Sequence, residues 1–196
     1  SSDLFPIPPR TALCGLIGAI IGLEKENNEY LKYFAKDSAF IGLRLLSSVK
    51  TSVKKVMIAE NLIDTKTARG IGMNLIKNRT QIGFEFLKDP RYRIYFYHRD
   101  KTIYDTLKEK LKYHKSVYTP CFGLSENIAN FEFIDELGTK VNIPVSDYIK
   151  IHSVLPTENI EKQKGINFNI PGEYFSVRLP AEMTTERIIT KYSDIL

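Results

Sequence analysis

The stretch PIPPRTALCGLIGAIIGL, residues 6 to 23, constrains this chain more than any other. Prolines at 6, 8 and 9 stiffen an extended lead-in, and proline at or just before the first helical position is a start signal. From Thr11 the pattern is helical and almost wholly apolar. At about 100° per residue, Thr11, Gly15, Gly18 and Gly22 share one narrow stripe, with Cys14 and Ala19 beside it. Leu13, Leu16, Ile17, Ile20 and Leu23 occupy the opposite side. Each glycine costs a helix roughly 1 kcal/mol against alanine, so the stripe predicts close approach of another backbone, from protein or ligand. The apolar run is shorter than the ~20 residues a membrane span needs. Asp3, the prolines and the lack of a small-x-small site exclude a signal peptide, and without a Gly-Lys-Ser/Thr ending the run is no phosphate loop. A buried helix packed on a sheet remains. Arg10 stands at its N-terminus, where backbone N–H groups and the dipole favour an anion.

Charge distribution says more about partners than total charge does. The chain of 196 residues carries a net +5, but Arg44 to Lys101 holds thirteen Lys/Arg against five Asp/Glu, and Glu126 to the end holds seven against eleven. A basic middle segment in an otherwise near-neutral protein predicts a polyanion partner, with an ordinary solvated basic surface as the alternative. The length supports one domain or two small ones. Two cysteines at unrelated spacing offer neither a zinc site nor a disulfide framework, and a reducing cytoplasm is the expected location.

In chain order, Asn28 to Lys36 reads as a short polar-faced helix and residues 40 to 46 as a strand. Valines and lysines interleave from Val49 to Glu60 without a helical stripe, and residues 61 to 79 read as a long loop with four cations, a flexible finger. In TQIGFEFL (80 to 87), Ile82, Phe84 and Phe86 alternate with polar residues or glycine, a half-buried strand. After the Asp89-Pro90 turn, YRIYFYH (92 to 98) alternates again, predicting a second strand paired with the first. Thr102 with Asp105 three residues on reads as the cap of a helix whose apolar stripe is Ile103, Leu107 and Leu111. Split β-α-β-β-α-β units place a strand before their first helix. Either that strand lies upstream of Ser1 or the fold differs. Residues 116 to 196 read as irregular and β-rich, with strands near 128 to 133, 140 to 155 and 166 to 180.

Catalytic constellations are thin. His98, His114 and His152 have no i,i+4 partner suited to a metal, and no nucleophile elbow is present. Neither a metal nor a cofactor is expected. Tyr113-His114-Lys115 supplies a general acid/base and a cation, the residue types of metal-independent RNA cleavage, at what also reads as an ordinary basic helix end. RNA-binding chemistry is better supplied: Lys50, Lys54, Lys55, Lys66, Arg69, Lys77 and Arg79 suit phosphates, and Gln81 suits base edges.

PPRTALCGLIGAIIGL, RTQIGFEFLKDPRYRIYFYH and YTPCFGLSENIANFEFI, three blocks in order from Phe5 to about Ile134, resemble the fifth family of CRISPR-associated (Cas) proteins, of the RAMP superfamily, in a type I-B-like version. The resemblance implies an α+β chain. A ferredoxin-like (RRM-like) RAMP domain over 1–115 would carry a long basic β-hairpin thumb at about 49–80, and a smaller β-rich region would span 116–196. Its first strand would be missing from the chain. The resemblance further implies a non-catalytic subunit of the Cascade surveillance complex. Such a subunit holds the five-prime handle of the CRISPR RNA and caps the filament of backbone subunits. The large subunit docks beside it, target DNA is met only through the complex, and no membrane is involved. Arg10 and the thumb cations Lys66 to Arg79 are the expected RNA contacts. A metal-independent endoribonuclease processing precursor CRISPR RNA is the alternative. The Tyr/His/Lys set that one subtype uses for cleavage does not map onto matching positions here.

Overall fold

The computed structural model describes residues 5–24, 26–28, 30–47, 56–63, 79–87, 89–123, 127–138, 151–160 and 174–196, the backbone alone over 56–63 and 79–86. It is a mixed α+β chain with elements α1 (Arg10–Ile21), α2 (Tyr30–Tyr33), β1 (Ala39–Leu45), β2 (Val56–Ile63), β3 (Arg79–Phe86), β4 (Tyr92–His98), α3 (Lys101–Lys112), β5 (Val177–Met183) and β6 (Ile189–Ile195). Two compact units divide it: Ser1–Pro6 with Leu45–Tyr92, and Ile7–Arg44 with Arg93–Leu196. The 115/116 boundary read from the sequence therefore runs inside the second unit, where α1 packs on β5.

The opening helix forms where the sequence puts it. Pro9 is extended at its start, and its carbonyl accepts from the N–H groups of Ala12 and Leu13 at 3.0 and 3.2 Å. Gly22, at φ 86°, ends it in the left-handed conformation, and the Leu23 N–H reaches back to Gly18 O at 2.9 Å. Two further carbonyls of the last turn, Ile20 and Ala19, accept from the N–H groups of Val117 and Tyr118 at 3.1 and 3.0 Å. The glycine stripe meets side chains, not the expected backbone. A Cβ on Gly18 would stand 3.6 Å from the Tyr30 ring and 3.8 Å from Phe34, and one on Gly15 would stand 3.9 Å from Tyr30 Oη. Only at Gly22 is there no room, with Val117 Cγ2 at 2.7 Å.

The second unit's core joins Cys14, Ile17 and Ile20 of α1 to Phe34, Ala39 and Leu107, with Ile41, Phe96, Leu111 and Phe131 packed around them. Burying these side chains contributes roughly 1.5–3 kcal/mol for each large apolar group, which is what holds α1 and α3 on the inner face of β1 and β4. The Arg99 N–H donates to Ser38 O at 2.9 Å, and a Cβ on Gly42 would stand 3.6 Å from Tyr95. Those two pairings set an antiparallel register in which Phe40 opposes Tyr97 and Arg44 opposes Arg93. Beyond the other edge of β1, the Val154 N–H donates to Leu43 O, while Leu155 and Leu196 exchange both backbone bonds. Residues 154–155 thereby link β1 to the β5–β6 pair.

In the first unit β2 and β3 form an antiparallel hairpin in unbroken register from Val56↔Phe86 to Ile63↔Arg79. The Tyr92 hydroxyl donates to Pro6 O at 2.9 Å, and burial pushes that phenol up to about 12.

Several expectations are corrected. The helix read from Asn28 to Lys36 is a 3₁₀ turn (Glu26–Asn28) followed by the single turn α2, because Asn27 and Asn28 adopt left-handed backbone, at φ 54° and 52°. The loop read over 61–79 is corrected at both ends, since β2 continues to Ile63 and β3 begins at Arg79, and residues 64–78 lie outside the described residues. β3 takes β2 as its partner and β4 takes β1, not one another. Alternation reveals that a segment is a strand with two faces, and nothing in it names the neighbour. The cap of α3 is Asp100, whose carboxylate accepts from the Thr102 N–H at 2.8 Å, in place of Thr102 itself. Residues 129–134 form no ladder, and only a single Cys121↔Ile128 bridge is present there. Strands expected within 140–150 and 161–173 lie outside the described residues. β6 had no counterpart in the sequence reading.

Candidate nucleic-acid interface

Arg10 is turned inward. Its Nη2 donates to Phe34 O at 2.8 Å and Ala39 O at 2.9 Å, and Nη1 approaches Cys14 Sγ at 3.8 Å. Both Nη2 protons tie the end of α2 to the start of β1, so the guanidinium sewn there competes with the anion role expected of it. Burial raises the Cys14 thiol to about 11, against the lowering effect of Arg10 beside it.

Arg79 and Gln81 lie in β3, opposite Ile63 and Asn61 in register. Lys50, Lys54, Lys55, Lys66, Arg69 and Lys77 lie outside the described residues. The chain carries Lys66, Arg69 and Lys77 between the two arms of the hairpin, so its connection is basic in composition.

A second group of residues, absent from the sequence-derived set, is the clearest surface arrangement among the described residues. Phe40, Gly42 and Arg44 of β1 and Arg93, Tyr95 and Tyr97 of β4 share the outward face of that pair, with Arg99 just past its end. Ala39, Ile41, Leu43, Phe96 and His98 face the other way. Phe40 and Tyr97 are 48% and 46% exposed, with ring centroids 6.0 Å apart, and the Arg99 guanidinium lies 5.9 Å from the Phe40 centroid. Such a guanidinium–ring contact contributes about 0.5–1 kcal/mol at an exposed site. Tyr97 in turn lies 6.3 Å from Tyr104 of α3, whose hydroxyl donates to Glu136 at 3.2 Å. Glu136 and Asp105 both pair with Lys108, at 3.1 and 3.4 Å, which holds the Glu136 carboxyl below its ordinary range. The acidic groups thus stand beyond Tyr104, and the sheet face itself carries three guanidiniums and no carboxylate. The sequence signal was present as R-x-Y-x-Y-x-R over residues 93 to 99, a period of two that puts all four residues on one side.

Two of the three histidines, His98 and His114, serve packing. His98 is buried, its Nε2–H donating to Tyr33 O at 2.8 Å while Nδ1 accepts from the Asp100 N–H at 2.9 Å. His114 takes left-handed backbone, φ 50°, past the end of α3, where its own N–H and that of Lys115 bond back to Leu111 O and Lys110 O. Its ring stacks on Phe131 at 4.8 Å, and Lys115 Nζ lies over the Tyr113 ring. Among the described residues no His/Cys/Asp/Glu group is arranged to hold a metal ion, and no helix is long and apolar enough to cross a membrane. The chain matches no model of a protein family, and no curated protein matches it.

Proposed function

We propose that this chain is a non-catalytic RNA-binding subunit of a type I CRISPR Cascade surveillance complex, working in the cytoplasm. In this role it holds the five-prime handle of the CRISPR RNA and caps the backbone filament beside the large subunit. The observation that carries the reading is the β2–β3 hairpin: two eight-residue arms in continuous register, closed by a stretch bearing Lys66, Arg69 and Lys77. Lysine and arginine side chains neutralise phosphates, and a basic connection between two paired strands suits a strand of RNA held along its backbone.

The ferredoxin-like RAMP architecture belongs to the same proposal. Helix α1, strand β1, strand β4 and helix α3 follow in chain order around one core, with the hairpin inserted between the two strands. The three sequence blocks that resemble the fifth Cas family fall on α1, on β3 through β4, and on the stretch after α3. Target DNA is reached only through the complex.

Footprinting of CRISPR RNA in complexes co-purified with the backbone subunits tests the reading. The wild-type chain protects the handle nucleotides, and Lys66→Ala/Arg69→Ala/Arg79→Ala loses that protection. A chain that co-purifies with backbone subunits yet protects no handle nucleotide would overturn it.

A further inference from the structure

The outward face of β1–β4 has a feature that the hairpin reading leaves unused. Arg44 and Arg93 oppose one another across the strand pair, and like charges directly opposite destabilise a sheet. Neither has an ion-pair partner among the described residues, and Arg93 Nε is out of contact with solvent and without an acceptor. Two guanidiniums held opposite one another without a carboxylate favour an anion that bridges them. One step along the sheet, Tyr95 lies over Gly42, and one step further Phe40 and Tyr97 stand half in water with Arg99 against Phe40.

We propose that this face binds unpaired nucleotides, independently of the hairpin. Bases stack on the Phe40 and Tyr97 rings, and phosphates take Arg99 at one end and the Arg44–Arg93 pair at the other. The rows run from flat rings to guanidiniums over about 13 Å of strand, room for about two stacked bases with their phosphates. An acidic peptide would satisfy the arginines and leave the rings bare. A duplex would present phosphates with its bases already stacked on one another. Unpaired nucleotides alone match both halves of the face. The acidic pair Asp105 and Glu136, beyond Tyr104, bounds the site on the third side and keeps phosphates toward the sheet.

The probe is a pentanucleotide with 2-aminopurine at its centre, made as RNA and as DNA, titrated into the full chain by anisotropy and fluorescence quenching. Either probe quenches on binding, and a preference for one names the strand it comes from. Phe40→Ala/Tyr97→Ala weakens binding at least ~10-fold and removes the quenching, while Phe40→Tyr/Tyr97→Phe retains both. Arg44→Gln/Arg93→Gln keeps residual quenching and lowers the salt slope by about 1.4. Both rings are half exposed, so circular dichroism of the double alanine variant stays that of the parent. If that variant does not fold, Tyr97→Ser alone reports the same loss at roughly fivefold. Quenching and affinity that survive ring removal would overturn the proposal. So would a duplex of the same length, or hexaglutamate, binding as tightly as the probe. Lys66→Ala/Arg69→Ala/Arg79→Ala leaves the 2-aminopurine quenching in place, which separates the two proposals. Handle protection that is absent while quenching persists removes only the Cascade reading.

Discussion

Gly22→Ala is the substitution for which the structure makes the sharpest quantitative statement. Gly22 sits at φ 86°, where an L side chain costs roughly 1–2 kcal/mol. The new methyl would also stand 2.7, 2.9 and 3.0 Å from Val117 Cγ2, Cβ and Cγ1. Val117 cannot yield easily, because its own N–H is bonded to Ile20 O and that of Tyr118 to Ala19 O, and a β-branched side chain has little rotamer freedom. Overpacking of this kind adds about 1–3 kcal/mol, so the two effects together come to roughly 2–5 kcal/mol. Gly15→Ala is the control on the same stripe. Its methyl would meet Tyr30 Oη at 3.9 Å, ordinary contact, and alanine favours the helix by up to about 1 kcal/mol. Urea unfolding followed by circular dichroism measures both. Gly22→Ala lowers the transition midpoint, with a fall in Tm of roughly 5–15 °C, while Gly15→Ala leaves it unchanged or raises it. Equal destabilisation by the two substitutions would refute the reasoning, because the glycines would then all be needed for close packing.

Four other outcomes are expected. Arg10→Ala leaves Phe34 O and Ala39 O without their donor and lowers stability by roughly 2–4 kcal/mol in the same assay; lost RNA binding at unchanged stability would instead make Arg10 an RNA contact. Native protein at pH 8 releases one thiol equivalent to a disulfide reagent, from half-buried Cys121, and two after unfolding. Because the Cys14 thiol ionises near 11 when folded and near 9.0 when unfolded, its stabilising contribution is whole below pH 9 and is lost as pH rises toward 11. That loss, about 3 kcal/mol, is missing from Cys14→Ala. Finally, His114→Gly changes stability by less than about 1 kcal/mol, since glycine suits the left-handed stop after α3 while the stack on Phe131 is lost, and repeat RNA stays intact in EDTA with either protein. Cleavage by wild type that His114→Gly abolishes would restore the endoribonuclease alternative.

Local signals were legible wherever one segment carries its own instructions. Prolines followed by an apolar run specified α1, the short run FIGLRLL read as β1, alternation specified β3 and β4, and the Ile103/Leu107/Leu111 spacing specified α3. The strand β2 escaped because Val56–Ile63, VMIAENLI, runs from apolar to polar and back without a clean period, and β6 lies in a stretch with no distinctive pattern. The inward contacts of Arg10 escaped for the same kind of reason: a helix N-terminus advertises an anion site, but the two carbonyls that accept from its guanidinium come from residues 24 and 29 positions away.

The amino-acid order alone determined which residues are helical, which alternate, and that the middle of the chain is basic, because propensity, periodicity and charge are properties of neighbours. Tertiary structure decided partners. It set β3 against β2 and β4 against β1, closed the glycine stripe with Tyr30 and Phe34, and brought Phe40 beside Tyr97 and Arg44 opposite Arg93. The β1–β4 pairings join residues some fifty positions apart, and long-range contacts are selected by the burial of a shared core, which no local window contains.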